Sequence, residues 1–168
     1  MRIRAAHGAD QPLISAITAP AIAAGQLLPH AHPPTRRHVA EAPDGRIVGV
    51  VSLQPWSSDV IELGGLVSTV SGHGIGRMLV DVALREAADE QYTTVVALTA
   101  IPGFFSRLGF SAHAQAPWRW ARQTPLRVPH DHLGRGVLLK STRCGGCPRL
   151  GSCSQVLMVR SIAEARVA

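Results

Sequence analysis

The chain has 168 residues, of which 46% are hydrophobic and 17% charged, and its formal net charge is +6. This length and hydrophobic content predict one folded domain and exclude an intrinsically disordered chain. No apolar run is long enough to span a membrane, and the N-terminal segment lacks the apolar core of a signal peptide, so we expect a cytoplasmic protein with no membrane partner.

The positive charge raises the question of an anionic partner. The arginines are scattered, the chain has one tyrosine and three tryptophans, and no basic run alternates with aromatic residues. A nucleic acid is therefore not expected. A polyanionic small molecule such as a nucleotide or coenzyme A explains the charge equally well, and so does a simple contribution to solubility.

The first half of the chain predicts a strand, a helix and three antiparallel strands. Residues 2–5 form a short strand pattern, and residues 10–24 place apolar side chains on one helical face that ends at Gly25. Prolines between residues 27 and 34 predict an irregular loop. Asp44-Gly45 between two strand patterns is typical of a hairpin. The predicted strands are residues 38–41, 46–53 and 59–67.

The second half predicts a helix over residues 74–90, a buried strand over 93–99, a short helix over 102–107 and a strand after Gly109. The helix is expected to bury Ile75, Met78, Leu79, Val82 and Ala83. A closing strand covers residues 156–159. We predict an α/β (α+β) fold with a mixed, mostly antiparallel central sheet and helices on both faces. One domain would span residues 1–168, with an irregular insertion at about 117–153 before the last strand.

A glycine-rich turn separates the strand over 59–67 from the following helix. Gly72, Gly74 and Gly76 leave backbone N–H groups open, and the helix dipole adds partial positive charge, so the turn predicts a pyrophosphate site. A Rossmann site would need an acidic residue at the end of the next strand, which this chain lacks. A P-loop would need Lys-Ser or Lys-Thr where Arg77 and Met78 stand.

The order of strand, glycine turn, helix and strand, followed by residues 104–110, resembles the GNAT superfamily of acetyl-coenzyme A N-acetyltransferases. Ser71 stands where that family has a basic or amide residue. Residues 25–29, 44–49, 62–63 and 104–110, with the tail at 144–148, are similar to the acetyltransferase domain of N-acetylglutamate synthases and their short stand-alone relatives. The resemblance implies the GNAT fold and an N-acetyltransferase with acetyl-CoA as co-substrate.

The resemblance also implies which residues bind the coenzyme. The strand before the turn would pair with the pantetheine arm, the turn would hold the pyrophosphate, Arg107 would touch phosphates, and two phenylalanines would pack the groove. The alternative is that the glycines only make a tight turn. The predicted coenzyme-binding residues are Leu66, Val67, Ser68, Ser71, Gly72, His73, Gly74, Ile75, Gly76, Arg77, Phe104, Phe105 and Arg107.

Acetyl transfer to an amine requires a base, because only the uncharged amine attacks. Glu62 is the candidate, since it lies in an apolar strand beside the acyl groove, where burial would raise its pKa. The alternative is an edge glutamate that faces solvent. The family often has a tyrosine as general acid at the position of Phe105, and phenylalanine has no proton to donate. Tyr92, the only tyrosine of the chain, lies at the far end of a strand. Water would then protonate the thiolate, or the thiolate would leave unaided.

The acceptor implied by the resemblance is the amino group of an amino acid, glutamate first, in arginine biosynthesis. Candidate acceptor-binding residues are His30, Arg36, Arg37, Gly64 and Gly65. The two glycines replace the arginine and serine common in the synthases. The space left by the missing side chains suits a larger or less charged amine. Detoxification of an amino-acid-like compound, or a non-catalytic CoA-binding regulatory domain, are alternatives.

Three cysteines stand near the C-terminus. Cys144 and Cys147 have metal-ligand spacing, and Cys153 with His130 or His132 would complete a structural zinc site. The alternative is a set of reduced thiols in a tight loop. The resemblance also implies pairing through the last strands, and hence a homodimer.

Overall fold

A computed structural model describes residues 1–27, 36–115, 149 and 152–162, and the account below concerns these residues. They form seven strands and three α-helices, with one turn of 3₁₀-helix at Gly8–Asp10. The strands are β1 Arg2–Ala5, β2 Arg36–Glu41, β3 Ile47–Pro55, β4 Val60–Ser68, β5 Thr94–Thr99, β6 Ser111–Gln115 and β7 Val156–Ser161. The helices are α1 Gln11–Ala23, α2 Ile75–Asp89 and α3 Pro102–Ser106.

The strands form one sheet in the order β1-β2-β3-β4-β5-β7-β6. The pair β4–β5 is parallel, and the other five pairs are antiparallel. The one parallel pair is connected through α2, because a parallel connection needs a crossover long enough to return to the same end of the sheet. The predicted mixed, mostly antiparallel sheet is confirmed.

Apolar clusters cover both faces of the sheet. The larger cluster joins α2 to inward residues of the central strands, among them Leu53, Ile61 and Leu63. A smaller cluster joins Ile14 of α1 to Val39 and Val50 on the opposite face. The alternation of side chains along each strand therefore supplies both layers, and the prediction of helices on both faces is confirmed.

Helix α2 begins after Gly74, whose φ of 69° lies in the left-handed region. Its buried side chains are Ile75, Leu79, Val80, Ala83, Leu84 and Ala87. The prediction that Met78 points inward is wrong, because that side chain is 37% exposed. The buried stripe is centred about one residue further along the helix than the sequence pattern indicated, on the side that faces β2, β3 and β4.

Two further glycines form the helix end and the hairpin turn that the sequence predicted. Gly25, with φ of 64°, follows α1, and Gly45, with φ of 82°, forms the β2–β3 hairpin. In the hairpin, the N–H of Ala42 donates to the carbonyl of Arg46 at 2.9 Å. No helix within the described ranges is long and apolar enough to cross a membrane.

Candidate active site

The site begins with a break in the sheet between β4 and β5. Their ladder runs from Val60 opposite Thr94 to Glu62 opposite Val96 and then stops. On its other side, β4 remains paired with β3, but its register shifts between Gly64 and Val67. Gly65 takes a φ of 58°, so a bulge of one extra residue bends β4. The bend separates the two strands.

The separation opens a cleft of about 490 Å³. One wall is the β4 segment Leu63 to Ser68, and the other is Leu98 to Ile101 at the carboxyl end of β5. Phe105 of α3 also lines the cleft. Since the ladder between β4 and β5 ends at Glu62, the β4 edge from Gly64 onward is not paired with β5. The cleft thus offers backbone donors and acceptors to an extended ligand.

The glycine turn leads from the end of this β4 segment into α2. Gly72 and Gly74 have φ of 79° and 69°, and no atom lies within 4 Å of a Cβ built on either residue. The first backbone N–H within the helix that donates to a carbonyl is that of Met78, to Gly74 at 3.0 Å. The amides of Ile75, Gly76 and Arg77 are therefore open for an anion at a helix N-terminus.

Gly76 differs from Gly72 and Gly74 in that it has a neighbouring side chain. A Cβ at this position would lie 3.4 Å from Cζ of Phe104. This is an ordinary van der Waals distance, and it places Phe104 of α3 beside the start of α2. Arg77 is exposed, and its Nε lies 3.7 Å from a carboxylate oxygen of Asp81, so the guanidinium is loosely held at the mouth of the turn.

Glu62 is 5% exposed, so the solvent-facing alternative is excluded. Trp56 Nε1 donates a hydrogen bond of 3.1 Å to Glu62 Oε2. The other carboxylate oxygen lies 3.2 Å from the position of a Cβ built on Gly64. The carboxylate therefore lies over Gly64, next to the bulge and beside the end of the β4–β5 ladder.

Phe105 is 3% exposed and packs edge-to-face with Phe104 and Phe110, at centroid distances of 5.2 and 5.3 Å. It lines the cleft but has no proton to donate. Tyr92 precedes β5, whereas Thr99 at the other end of that strand lines the cleft. At about 3.3 Å per residue the two ends lie roughly 20 Å apart, which excludes Tyr92 as the acid.

The structure separates the two arginines predicted to bind the acceptor. Arg36 pairs with Glu86 and Glu90 of α2, whereas Arg37 lies on the opposite face, with Ser52 and α1. The prediction for Arg36 is therefore corrected, because neighbouring residues of a strand point to opposite faces and only one of the pair can face α1. His30 lies outside the described residues.

Several lining residues were not predicted from the sequence: Gln26, Thr99, Arg149 and Ser154 in the cleft, and Ser52 near Gly64. One signal existed for Thr99, since ligands bind at the carboxyl ends of parallel strands and β5 is one of the parallel pair. Arg149 and Ser154 reach the cleft from the segment before β7, which carries no local signal of that position.

The zinc prediction stays untested. Cys144, Cys147, His130 and His132 lie outside the described residues. Cys153 is described as a half-buried free thiol. Groups of three or more histidine, cysteine or acidic residues suited to a metal are absent from the described part of the chain.

Residues 14–110 match the model of the acetyltransferase (GNAT) family. The chain belongs to the GNAT family. It is an N-acetyltransferase, and the bent β4, the two strand walls of the cleft and the glycine turn lie within the matched region.

Known relatives of this N-acetyltransferase include an amino-acid acetyltransferase of Mycobacterium tuberculosis, 40% identical over 77 residues. That match covers 44% of each chain, less than half of the relative's length.

Two solved structures share the fold. Rv2747 from Mycobacterium tuberculosis, solved with CoA, has a TM-score of 0.70 and 24% identity over 96% of this chain and 99% of its own. The N-acetylglutamate synthase of Neisseria gonorrhoeae, complexed with coenzyme A and N-acetyl-glutamate, has a TM-score of 0.68 and 21% identity. The latter match covers 95% of this chain and 34% of the synthase.

Proposed function

We propose that this N-acetyltransferase transfers the acetyl group of acetyl-CoA to the amino group of an amino acid, by direct attack in a ternary complex. The observation that carries the proposal is the cleft at the β4 bulge, with a buried carboxylate beside it. Glutamate is the first candidate acceptor, which would place the reaction in arginine biosynthesis. The amino-acid acetyltransferase and the acetylglutamate synthase among the relatives support this class.

In this proposal, the coenzyme lies along the open edge of β4. The amides of the pantetheine arm would pair with the backbone of Leu66 to Ser68, which β5 leaves open beyond Glu62. The pyrophosphate would accept hydrogen bonds from the amides of Ile75, Gly76 and Arg77 at the start of α2. Ser71 has no charge to add, so the backbone donors would provide most of the binding.

The acceptor nitrogen would attack the thioester carbonyl carbon, and Glu62 would receive a proton from that nitrogen, directly or through a water molecule. The C–N bond forms, the C–S bond of the thioester breaks, and the sulfur leaves as a thiolate. Phe105 cannot protonate the thiolate, so the thiolate would leave unaided and take a proton from water. This is chemically acceptable because a thiol is far more acidic than an alcohol.

Thermal unfolding in the presence of acetyl-CoA tests the coenzyme part of the proposal, because a ligand that binds the folded state raises Tm. A chain that shows no stabilisation by acetyl-CoA would contradict it. Release of the CoA thiol with a panel of amino acids tests the acceptor. If glutamate is not acetylated while a bulkier amine reacts, glutamate is not the substrate.

The role of Glu62 is tested by Glu62→Gln, which keeps the size of the side chain but cannot accept a proton. We expect a loss of roughly 100- to 10,000-fold in kcat, the usual range for a general base. The pH dependence assigned to the base should disappear as well. Glu41→Gln is the matched control, since Glu41 pairs with Arg4 at the far edge of the sheet. Full activity of Glu62→Gln across pH would exclude Glu62 as the base.

A further inference from the structure

Trp56, the residue after β3, is hydrogen-bonded to the buried carboxylate of Glu62. In the β3–β4 ladder Gln54 is opposite Glu62, and Trp56 follows Gln54 by two residues. Residues two apart along a strand point to the same face, and diagonal neighbours on adjacent strands lie within reach of a long aromatic side chain. The indole thus reaches the carboxylate across one face of the sheet, where Trp56 Nε1 lies 3.1 Å from Glu62 Oε2.

An apolar cluster holds the indole ring in this position. The ring packs against Val60, Val96 and Leu157, which are all buried. Val60 precedes Glu62 by two residues, and Val96 is opposite Glu62 in the β4–β5 ladder. The ring therefore packs against the apolar neighbours of the carboxylate, on the same face of the sheet.

The turn between β3 and β4 holds the backbone of the tryptophan. The N–H groups of Trp56 and Ser57 both donate to the carbonyl of Val60, at 2.9 and 3.1 Å. Ser57 Oγ accepts the N–H of Val60 at 3.1 Å and donates to Asp59 Oδ1 at 2.7 Å. Because both the ring and the backbone are held, the indole N–H is a rigid support for the carboxylate.

The hydrogen bond determines which carboxylate oxygen lies towards the β4 bulge. Oε2 of Glu62 receives the indole N–H, and Oε1 lies 3.2 Å from the position of a Cβ built on Gly64. The last torsion of a glutamate side chain is broad, so without a support the two oxygens would sample many orientations. The indole selects the orientation in which Oε1 lies beside Gly64, at the wall of the cleft.

The type of donor matters as much as its position. An indole N–H donates a hydrogen bond and carries no charge. A lysine or arginine at the same distance would strongly favour the ionised carboxylate and make it a weaker base. The residues opposite Glu62, Gln54 on β3 and Val96 on β5, are uncharged as well. A neutral donor orients the carboxylate and leaves it able to accept a proton.

We propose that Trp56 is a positioning residue for acetyl transfer, whose indole N–H holds the carboxylate of Glu62 in the orientation that receives the proton of the acceptor amine. This inference rests on the proposed function, in which Glu62 is the base. Trp56 does not line the cleft, so it acts through Oε2 of the carboxylate. In the step, an N–H bond of the amine breaks and an O–H bond forms on Oε1, directly or through water, while the indole keeps its own proton.

The test removes the indole N–H with the smallest possible change of shape. Replacement of Trp56 by benzothienylalanine, incorporated at that position alone, puts sulfur in place of the N–H and keeps both fused rings. Trp56→Phe removes the same donor with a natural residue. We expect kcat for thiol release to fall by about 10-fold in both proteins, and KM for acetyl-CoA to stay constant. Val159→Ala is the matched control, because Val159 packs against the same cluster and its side chain has no donor.

Two further measurements separate positioning from a purely structural role. In the Glu62→Gln background the benzothienyl replacement should change kcat little, because its effect passes through the carboxylate. In the unliganded protein, the NMR resonance of the isotope-labelled carboxyl carbon of Glu62 should titrate about one pH unit higher without the indole N–H, since that donor favours the ionised form. Charged residues around the site, such as Arg37 and Arg149, are the same in both proteins, so the difference reports the indole N–H.

The titration distinguishes this inference from the proposed function, because it needs no acceptor. If the titration does not move, or if kcat falls equally in the Glu62→Gln background, the indole does not act through the carboxylate and the proposal is wrong. A loss of kcat in Val159→Ala as large as that of the benzothienyl protein would also overturn it. If the titration moves but the wild type acetylates no amine, the hydrogen bond acts as inferred and the proposed function is the part that fails.

Discussion

Replacement of Gly64 by alanine perturbs the position of Glu62 without changing its chemistry. The new Cβ would lie 3.2 Å from Glu62 Oε1, 3.6 Å from its Cδ and 3.7 Å from Ser52 Oγ. The last two distances are ordinary contacts, so the strain falls on one carboxylate oxygen. The backbone of Gly64 does not have a positive φ, and alanine can therefore adopt its conformation.

The size of the effect follows from that distance. Relief of the contact requires the carboxylate to move by a few tenths of an ångström, which costs about 0.5–1.5 kcal/mol if the side chain leaves its rotamer. A displacement of 1 Å in an active site costs about 100-fold in rate, so we expect kcat to fall by roughly 3- to 10-fold. The free energy of unfolding should change by less than about 1 kcal/mol, because alanine also reduces the entropy of the unfolded chain.

The assay is thiol release at saturating acetyl-CoA, with kcat measured for Gly64→Ala, Glu62→Gln and the double variant. Gly8→Ala is the control, since a Cβ there meets no atom within 4 Å. If Gly64 acts through Glu62, the second substitution should add little once Glu62 is replaced. An unchanged kcat in Gly64→Ala, or the same loss in the Glu62→Gln background, would refute the reasoning.

Two further predictions concern the coenzyme turn and the N-terminal ion pair. Gly74→Ala forces alanine into a φ of 69° with open space around its Cβ. The cost is therefore conformational, about 1–2 kcal/mol. We expect KM for acetyl-CoA to rise by about 10-fold, while KM for the acceptor stays constant. A KM unchanged for acetyl-CoA would remove the turn from coenzyme binding. Asp10 receives two hydrogen bonds from Arg4, at 2.7 and 3.0 Å, and this guanidinium lowers the pKa of Asp10 from 3.8 to about 2. Because the pKa of Asp10 is lower in the folded state, the ion pair stabilises the folded state fully above about pH 4, and this stabilisation is lost as the pH falls towards 2. It amounts to about 2 kcal/mol of the free energy of unfolding. Urea unfolding of Asp10→Asn should therefore show that deficit at pH 7 and a smaller one near pH 2, whereas an equal deficit at both pH values would contradict the ion-pair explanation.

Local sequence signals were sufficient for the secondary structure and for the glycine turn. Gly25, Gly45 and Gly74 take the left-handed backbone that their turns require, and this preference belongs to the residue itself. The alternation and length of the apolar runs predicted the strands, and the glycine spacing before α2 predicted an open helix N-terminus. These features depend on neighbours within a few positions, so they can be read from the chain alone.

The tertiary structure decided which predicted residues share a site. Whether Glu62 faced solvent depended on its neighbours across β3 and β5, and its burial follows from a position in the middle of the sheet. Arg36 and Arg37 are equivalent as adjacent basic residues, but strand pairing assigns one to α2 and the other to a cavity under α1. The bulge at Gly65 exists only relative to the register of β3. The sequence by itself therefore determined the secondary-structure elements and the glycine turn. The face of the sheet on which each side chain lies, the cleft and the partners of each charge required the strands to be paired, because register is a property of two strands and not of one.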